Sequence, residues 1–157
     1  MKRMLLPMAA VAAATAIAIG GTSAVAHPSS GAHAAKAAKI QLKKVGHLGK
    51  VLTNGHGQTL YLFEKDKHGK SACNGQCAAG WPPALTTGKP IAGKGVSSSK
   101  LGTTKRKDGK LQVTYNGHPL YAYIGDSKAG QAKGEGSKAF GAEWYVVNAK
   151  GNKVDKS

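Results

Sequence analysis

A tyrosine, a second aromatic residue and an aspartate recur at one spacing in two places. They are Tyr61, Phe63 and Asp66 in TLYLFEKD, and Tyr121, Tyr123 and Asp126 in PLYAYIGD. Two kinds of chemistry fit this set. The phenols and carboxylates could line a shared groove and face a small ligand, with Trp81 and Trp144 adding ring surface. Alternatively, each set is an aromatic pair followed by a strand-terminating aspartate that accepts hydrogen bonds from turn amides. Catalysis is not expected. Neither aspartate has a nucleophile or histidine at fixed spacing, and the chain shows no Ser-His-Asp order, no Gly-rich phosphate loop after a strand and no closely paired carboxylates. Seven acidic residues in all leave little material for general acid–base work.

The other candidate groups are cysteines and histidines. Cys73 and Cys77, in CNGQC, are the chain's two cysteines. In an exported chain a disulfide is the default for such a pair. Closing so small a loop contributes about 2 kcal/mol by chain entropy and pins the turn before Trp81. Three intervening residues differ from the two-residue redox spacing, no histidine follows Cys77 as haem attachment would need, and a zinc site would have only His68 close by. His56 and His118 sit in two Asn-Gly-His triplets. A twofold arrangement could bring them together as metal ligands, or they could be there because a turn tolerates them. His27 offers a third possibility: with cleavage after Ala26, its free amine and imidazole would need one more imidazole to make a three-nitrogen copper site. No cofactor is expected from these residues.

The elements that must position these groups begin after an export signal. Met1–Ala26 has a basic start at Lys2 and Arg3, an apolar run and a small-x-small end at Ala24-Val25-Ala26, and the run from Met8 to Ile19 is short for a bilayer span. Without Lys2 and Arg3, 21 of the 23 basic residues face 7 acidic ones, a formal +14. Arg106 is the one arginine left, the other twenty being lysines. Specific phosphate or base recognition leans on the guanidinium fork, so a nucleic-acid reader is not expected. Anionic cell-wall polymers or an envelope protein are the expected partners, and no transmembrane segment is expected in the mature chain.

Residues 27–39 read as a flexible basic tether, and 40–157 as a single β-domain. Short β-like runs lie at 40–45, 50–53 and 58–63, then at 101–104, 111–115 and 120–124, with a last strand at 143–148. Turns are expected at the two Asn-Gly pairs (54–55 and 116–117), at Asp108-Gly109 and at 150–152, the Asn-Gly pairs by the type I′ rule that both central residues take positive φ. The expected fold is all-β. Two three-stranded meanders, about 40–85 and 101–152, pack around a pseudo-twofold axis with a C-terminal strand, joined by a Pro/Gly/Ser-rich connection. A lone meander has one apolar face it cannot cover, and a second copy covers it. Leu60 and Leu62 should then face one side and Tyr61 and Phe63 the other, both covered.

The segments TLYLFEKD, SACNGQCAAGWPPAL, GKGVSSSKLGTTKRKDGKLQVTYNGHPLYAYIGD and GAEWYVVN, in this order from about Val45 to about Asn148, resemble the bacterial secreted-repeat and lipoprotein family named for its Tyr-x-(Phe/Trp/Tyr)-x-x-Asp motif. The resemblance implies tandem repeats and an extracellular or cell-envelope location, with no established activity. The lipid-bearing cysteine of the lipoprotein members is missing, since Cys73 and Cys77 lie far from the cleavage site. The expected function is therefore a secreted, non-catalytic binding or structural β-domain of the cell envelope. The alternative is an envelope module that binds a small ligand or a metal, in copper, haem or redox handling.

Overall fold

The computed structural model describes residues 36–156. The expected export signal, His27 and the tether up to residue 35 lie outside the described residues. Strands dominate, in several sheets, with one short α-helix among the described residues. The first repeat opens with β1 (Lys39–Lys44) and β2 (Lys50–Asn54), an antiparallel hairpin, followed by β3 (Tyr61–Phe63). The helix α1 (Gln76–Gly80) precedes β4 (Leu85–Thr86) and β5 (Ile91–Ala92). The second repeat holds β6 (Leu101–Lys105), β7 (Leu111–Tyr115), β8 (His118–Pro119) and finally β9 (Trp144–Val146).

The third run of each repeat is shorter than the sequence suggests, for a physical reason. After one bridge between Thr53 and Thr59, β3 leaves β2 and pairs with β9, Phe63 opposite Trp144 and Tyr61 opposite Val146. The run at 120–124 is not a continuous strand. Its amides instead bond across to the first repeat: Ala122 N–H donates to the Pro82 carbonyl (2.8 Å) and Ile124 N–H to that of Gly80 (3.2 Å). Pro82, without an N–H, returns no bond, which interrupts the ladder. The connection at 82–100 is likewise more than a loop, since β4 pairs with β7 and β5 runs parallel to β1.

The two repeats are related by these crossings. Leu52 N–H donates to the Val147 carbonyl and Val113 N–H to that of Ala84, both at 2.8 Å; Leu60 N–H donates to Leu52 and Leu120 N–H to Val113. Leu52 is thus equivalent to Val113, Leu60 to Leu120, and Val147 to Ala84. The segment after each tryptophan is inserted into the sheet of the other repeat. At the centre, Tyr61 and Tyr121 exchange a pair of backbone hydrogen bonds at 2.8 and 3.0 Å, as two strands do across a twofold axis.

Both faces of the central strands are covered, as the alternation predicts. Leu60, Leu62, Tyr145 and Val147 join Ile40, Leu52, Leu101, Val113 and Leu120 in one core. Tyr61, Phe63, Trp144 and Val146 join Val51, Leu48, Trp81 and Tyr121 in the other.

The two Asn-Gly turns differ. Asn116 (φ 50°) and Gly117 (φ 80°) make the two-residue turn with both central residues at positive φ, joining β7 to β8. The first turn is longer: Asn54 N–H donates to the Gln58 carbonyl, Gly57 N–H to that of Asn54, and Gly57 takes the left-handed conformation at φ 83°. The same three-residue design closes the hairpins at 106–110 and 148–152, with Gly109 and Gly151 at φ 82° and 85°. Consequently Gln58 matches His118, and the Asn-Gly-His triplets, alike in sequence, are not equivalent in space.

Candidate functional site

The doubled motif lies where the repeats meet, and each tyrosine serves the aspartate of the other copy. Tyr61 Oη donates to Asp126 Oδ2 at 2.6 Å, and Tyr121 Oη donates to Asp66 Oδ2 at 2.8 Å. The second carboxylate oxygen holds the turn that follows: Asp66 Oδ1 accepts from Ala72 N–H (2.7 Å) and Asp126 Oδ1 from Lys133 N–H (2.8 Å). A strand end places each aspartate through one tight turn, since Asp66 N–H donates to the Phe63 carbonyl and Asp126 N–H to that of Tyr123. Tyr61, Tyr121 and Asp126 are buried, while Asp66 is half-buried.

The remaining motif residues form a column of rings. Tyr123, Trp81, Trp144 and Phe63 stack in that order, with centroids 4.4, 3.9 and 4.0 Å apart. Tyr61 meets Trp81 edge-on at 5.3 Å and Tyr121 meets Trp144 edge-on at 5.1 Å, so the column obeys the same twofold relation. Gly134 closes one flank. A Cβ there would come 2.5 Å from Trp81 Cη2, and its N–H reaches Tyr61 Oη at 3.3 Å.

Burial first, and then the bond to Asp126, push the Tyr61 hydroxyl well above the usual phenol range. Burial and the neighbouring Asp66 charge do the same for Tyr121. Both phenols therefore stay protonated and act as donors, and neither is poised as a base. Removing one donor tests the lock. Tyr61→Phe should lower the unfolding free energy by about 2 kcal/mol, because a buried carboxylate loses a partner. In a double-mutant cycle with Asp126→Ala the two losses should fall short of additivity by about 1–2 kcal/mol. Denaturant unfolding of the four proteins measures both.

Burial raises the Asp66 carboxyl above its ordinary 3.8, although Ala72 N–H, Tyr121 and the Arg106 charge pull the other way. Burial also raises Glu135 above 4.5, whose Oε2 accepts from Val146 N–H at 2.6 Å. A carboxyl with a raised folded pKa adds stability that is complete below its ordinary value and is lost as pH rises through the folded value. The fall in stability from about pH 4 upward should therefore be shallower in Asp66→Asn and in Glu135→Gln than in the wild type, measured by denaturant unfolding across that range.

Arg106 is a part of the site that the motif does not announce. Only 6% exposed, it spans the two repeats. Nη1 donates to Gln112 Oε1 (2.7 Å) and Ser71 Oγ (2.9 Å), and Nη2 donates to the Cys73 carbonyl (2.7 Å) and Asn74 Oδ1 (3.3 Å). Asp108 Oδ2 lies 3.9 Å from Nε. Ser71 Oγ is also 2.7 Å from the Tyr121 hydroxyl, which ties the guanidinium to the lock. The sequence held one signal: a lone arginine among twenty lysines, where a flat fork that serves four acceptors is needed.

The cysteines are joined as a disulfide, Cys73 to Cys77, at the start of α1, and the pair packs under Trp81 in the aromatic core. His56 lies exposed in the first hairpin loop, where its N–H donates to Asn54 Oδ1 (3.0 Å), whereas His118 is half-buried on β8. The expected equivalence of these two residues does not hold, because the first loop is one residue longer. Neither takes a positive φ; His68 does, at 51°. Among the described residues no three His, Cys, Asp or Glu side chains are grouped as a metal site would need.

The sequence profile of a family described as a secreted repeat of unknown function matches residues 44–85 and 102–148, one match in each repeat. No curated protein and no solved structure matches the chain. Among the described residues no helix is long and apolar enough to cross a membrane.

Proposed function

The chain belongs to this family of secreted repeats, and from that premise we propose that it is a non-catalytic domain that holds anionic polymers of the cell envelope on a lysine-covered surface. One observation carries the reading: the ionisable groups of the motif are spent on each other inside, while the lysines stay outside. Every described lysine is exposed except the half-buried Lys100. Two of them pair with carboxylates, Lys153 with Glu64 at 3.3 Å and Lys138 with Glu143 at 3.7 Å. Seven acidic residues cannot neutralise twenty lysines, so a strong positive field surrounds the domain. Lysine supplies point charges without a fixed bonding geometry, which suits a repeating polyanion and not one shaped ligand.

The test is binding to poly(glycerol phosphate) at rising salt. Affinity should fall steeply between low and physiological ionic strength and should survive Tyr61→Phe. Salt-independent binding, or loss of binding in a folded Tyr61→Phe protein, would sink the reading. A second reading, an envelope module for a small ligand, is favoured by one feature, an open groove beside the first hairpin loop.

A further inference from the structure

The twofold relation fails in one place, and the failure leaves a space. A groove of about 470 Å³ opens between the start of β1, the first hairpin loop and the segment Pro82–Leu85. That is within the range of small-molecule sites. The counterpart of this groove on the other side of the axis is filled. Three residues make the difference. Tyr115, Leu62 and Tyr145 belong to the core on the filled side, all buried. Their equivalents by backbone pairing are Asn54, Ala122 and Pro82, and these line the open groove. A phenol, an isobutyl group and a second phenol are thus replaced by a short amide, a methyl group and a proline ring.

The filled side also shows how a ring is held. Tyr115 is fully buried, its hydroxyl accepts from Ser97 N–H at 3.0 Å and donates to the Ala149 carbonyl at 2.7 Å. The equivalent main-chain positions beside the open groove are Lys36 and Thr86. Asn54 does not reach into that space, because its side chain is turned to its own loop and bonds Gln58 Oε1 (2.8 Å) and the N–H groups of His56 and Gln58. The groove's walls carry Lys36, Lys39 and His56 and no aspartate or glutamate.

We infer that this groove binds a small aromatic acid, a phenol ring bearing a carboxylate, with the ring in the place that Tyr115 occupies on the other side and the carboxylate against the Lys36–Lys39 rim. This deepens the small-ligand reading and does not depend on the polymer surface: polymer binding could fail while the groove still takes its ligand, and the reverse.

The test is an amide-resolved NMR titration of the whole protein with 4-hydroxyphenylacetate, beside cyclohexylacetate as a ligand of equal charge without a flat ring. The phenolic acid should saturate with a Kd below about 1 mM, with shifts centred on the amides of residues 36–40, 54–58 and 84–85. Cyclohexylacetate should bind at least about tenfold more weakly. Ala122→Leu, which restores the isobutyl group of the filled side, should weaken the phenolic acid by at least about tenfold, as should Lys39→Glu on the exposed rim. Three results would overturn the inference: no saturation; equal affinity for cyclohexylacetate, which reports lysine charge alone; or unchanged affinity in a folded Ala122→Leu or Lys39→Glu protein.

Discussion

Trp144→Ala should lower the unfolding free energy by about 3–5 kcal/mol. Trp144 is fully buried between Trp81 and Phe63, and its Nε1 donates to the Ala139 carbonyl at 2.9 Å. Truncation removes both stacking partners, leaves that carbonyl without its donor and opens a cavity at the axis, where neither repeat can collapse without disturbing the other. Against a typical domain stability of about 5–15 kcal/mol this is a large share. The melting temperature should fall by roughly 10–20 °C. Trp144→Phe keeps a ring in the column and should cost less than half as much. Thermal and denaturant unfolding of both variants give the comparison, and a loss under about 1 kcal/mol for Trp144→Ala would show that the column does not anchor the fold.

Arg106→Ala should cost about 3–4 kcal/mol, through a different mechanism. Here the loss is mainly polar: the Cys73 carbonyl and Gln112 Oε1 would be left buried without this donor. Gln112 is itself fully buried, so water cannot easily substitute. Arg106→Lys should recover only part of the loss, because an ammonium cannot serve four acceptors spread over a planar fork. Arg106→Met keeps the stem packing but none of the donors, and should lie closer to alanine than to lysine. If methionine instead matched the wild type, the guanidinium would be a tolerated burden and not a brace.

Much of this was legible in the sequence because it rests on local rules. The alternation in Leu60–Phe63 fixed two covered faces, and the repeated Tyr-x-aromatic-x-x-Asp marked the meeting line of the repeats. The cysteine pair in an exported chain pointed to its disulfide. What escaped depends on partners distant in the chain. Nothing local says that Tyr61 serves Asp126 and not Asp66, because a hydrogen bond across 65 positions is set by the packing of the repeats. The run at 120–124 has strand composition but lacks a continuous partner, since Pro82 and Pro83 stand opposite it. The Asn-Gly-His triplets misled because identical letters sat in loops of different length. Asn-x-x-Gly, which occurs at 54–57 and again at 148–151, was the better turn signal. In both cases the Asn Oδ1 accepts from two later amides, and the Gly takes the left-handed conformation.

The inserted segments bear on the order in which the protein folds. β3 finds its neighbour only when residues 144–146 are available, and Trp81 finds its stacking partner only at Trp144. Contacts so remote in sequence must close large loops before they repay the entropy, which slows folding. A first repeat formed without the second would leave β3 without its partner strand and Trp81 without its stacking ring. The two repeats should therefore fold as one cooperative unit, completed only when the last strand, at residues 144–146, is in place beside β3.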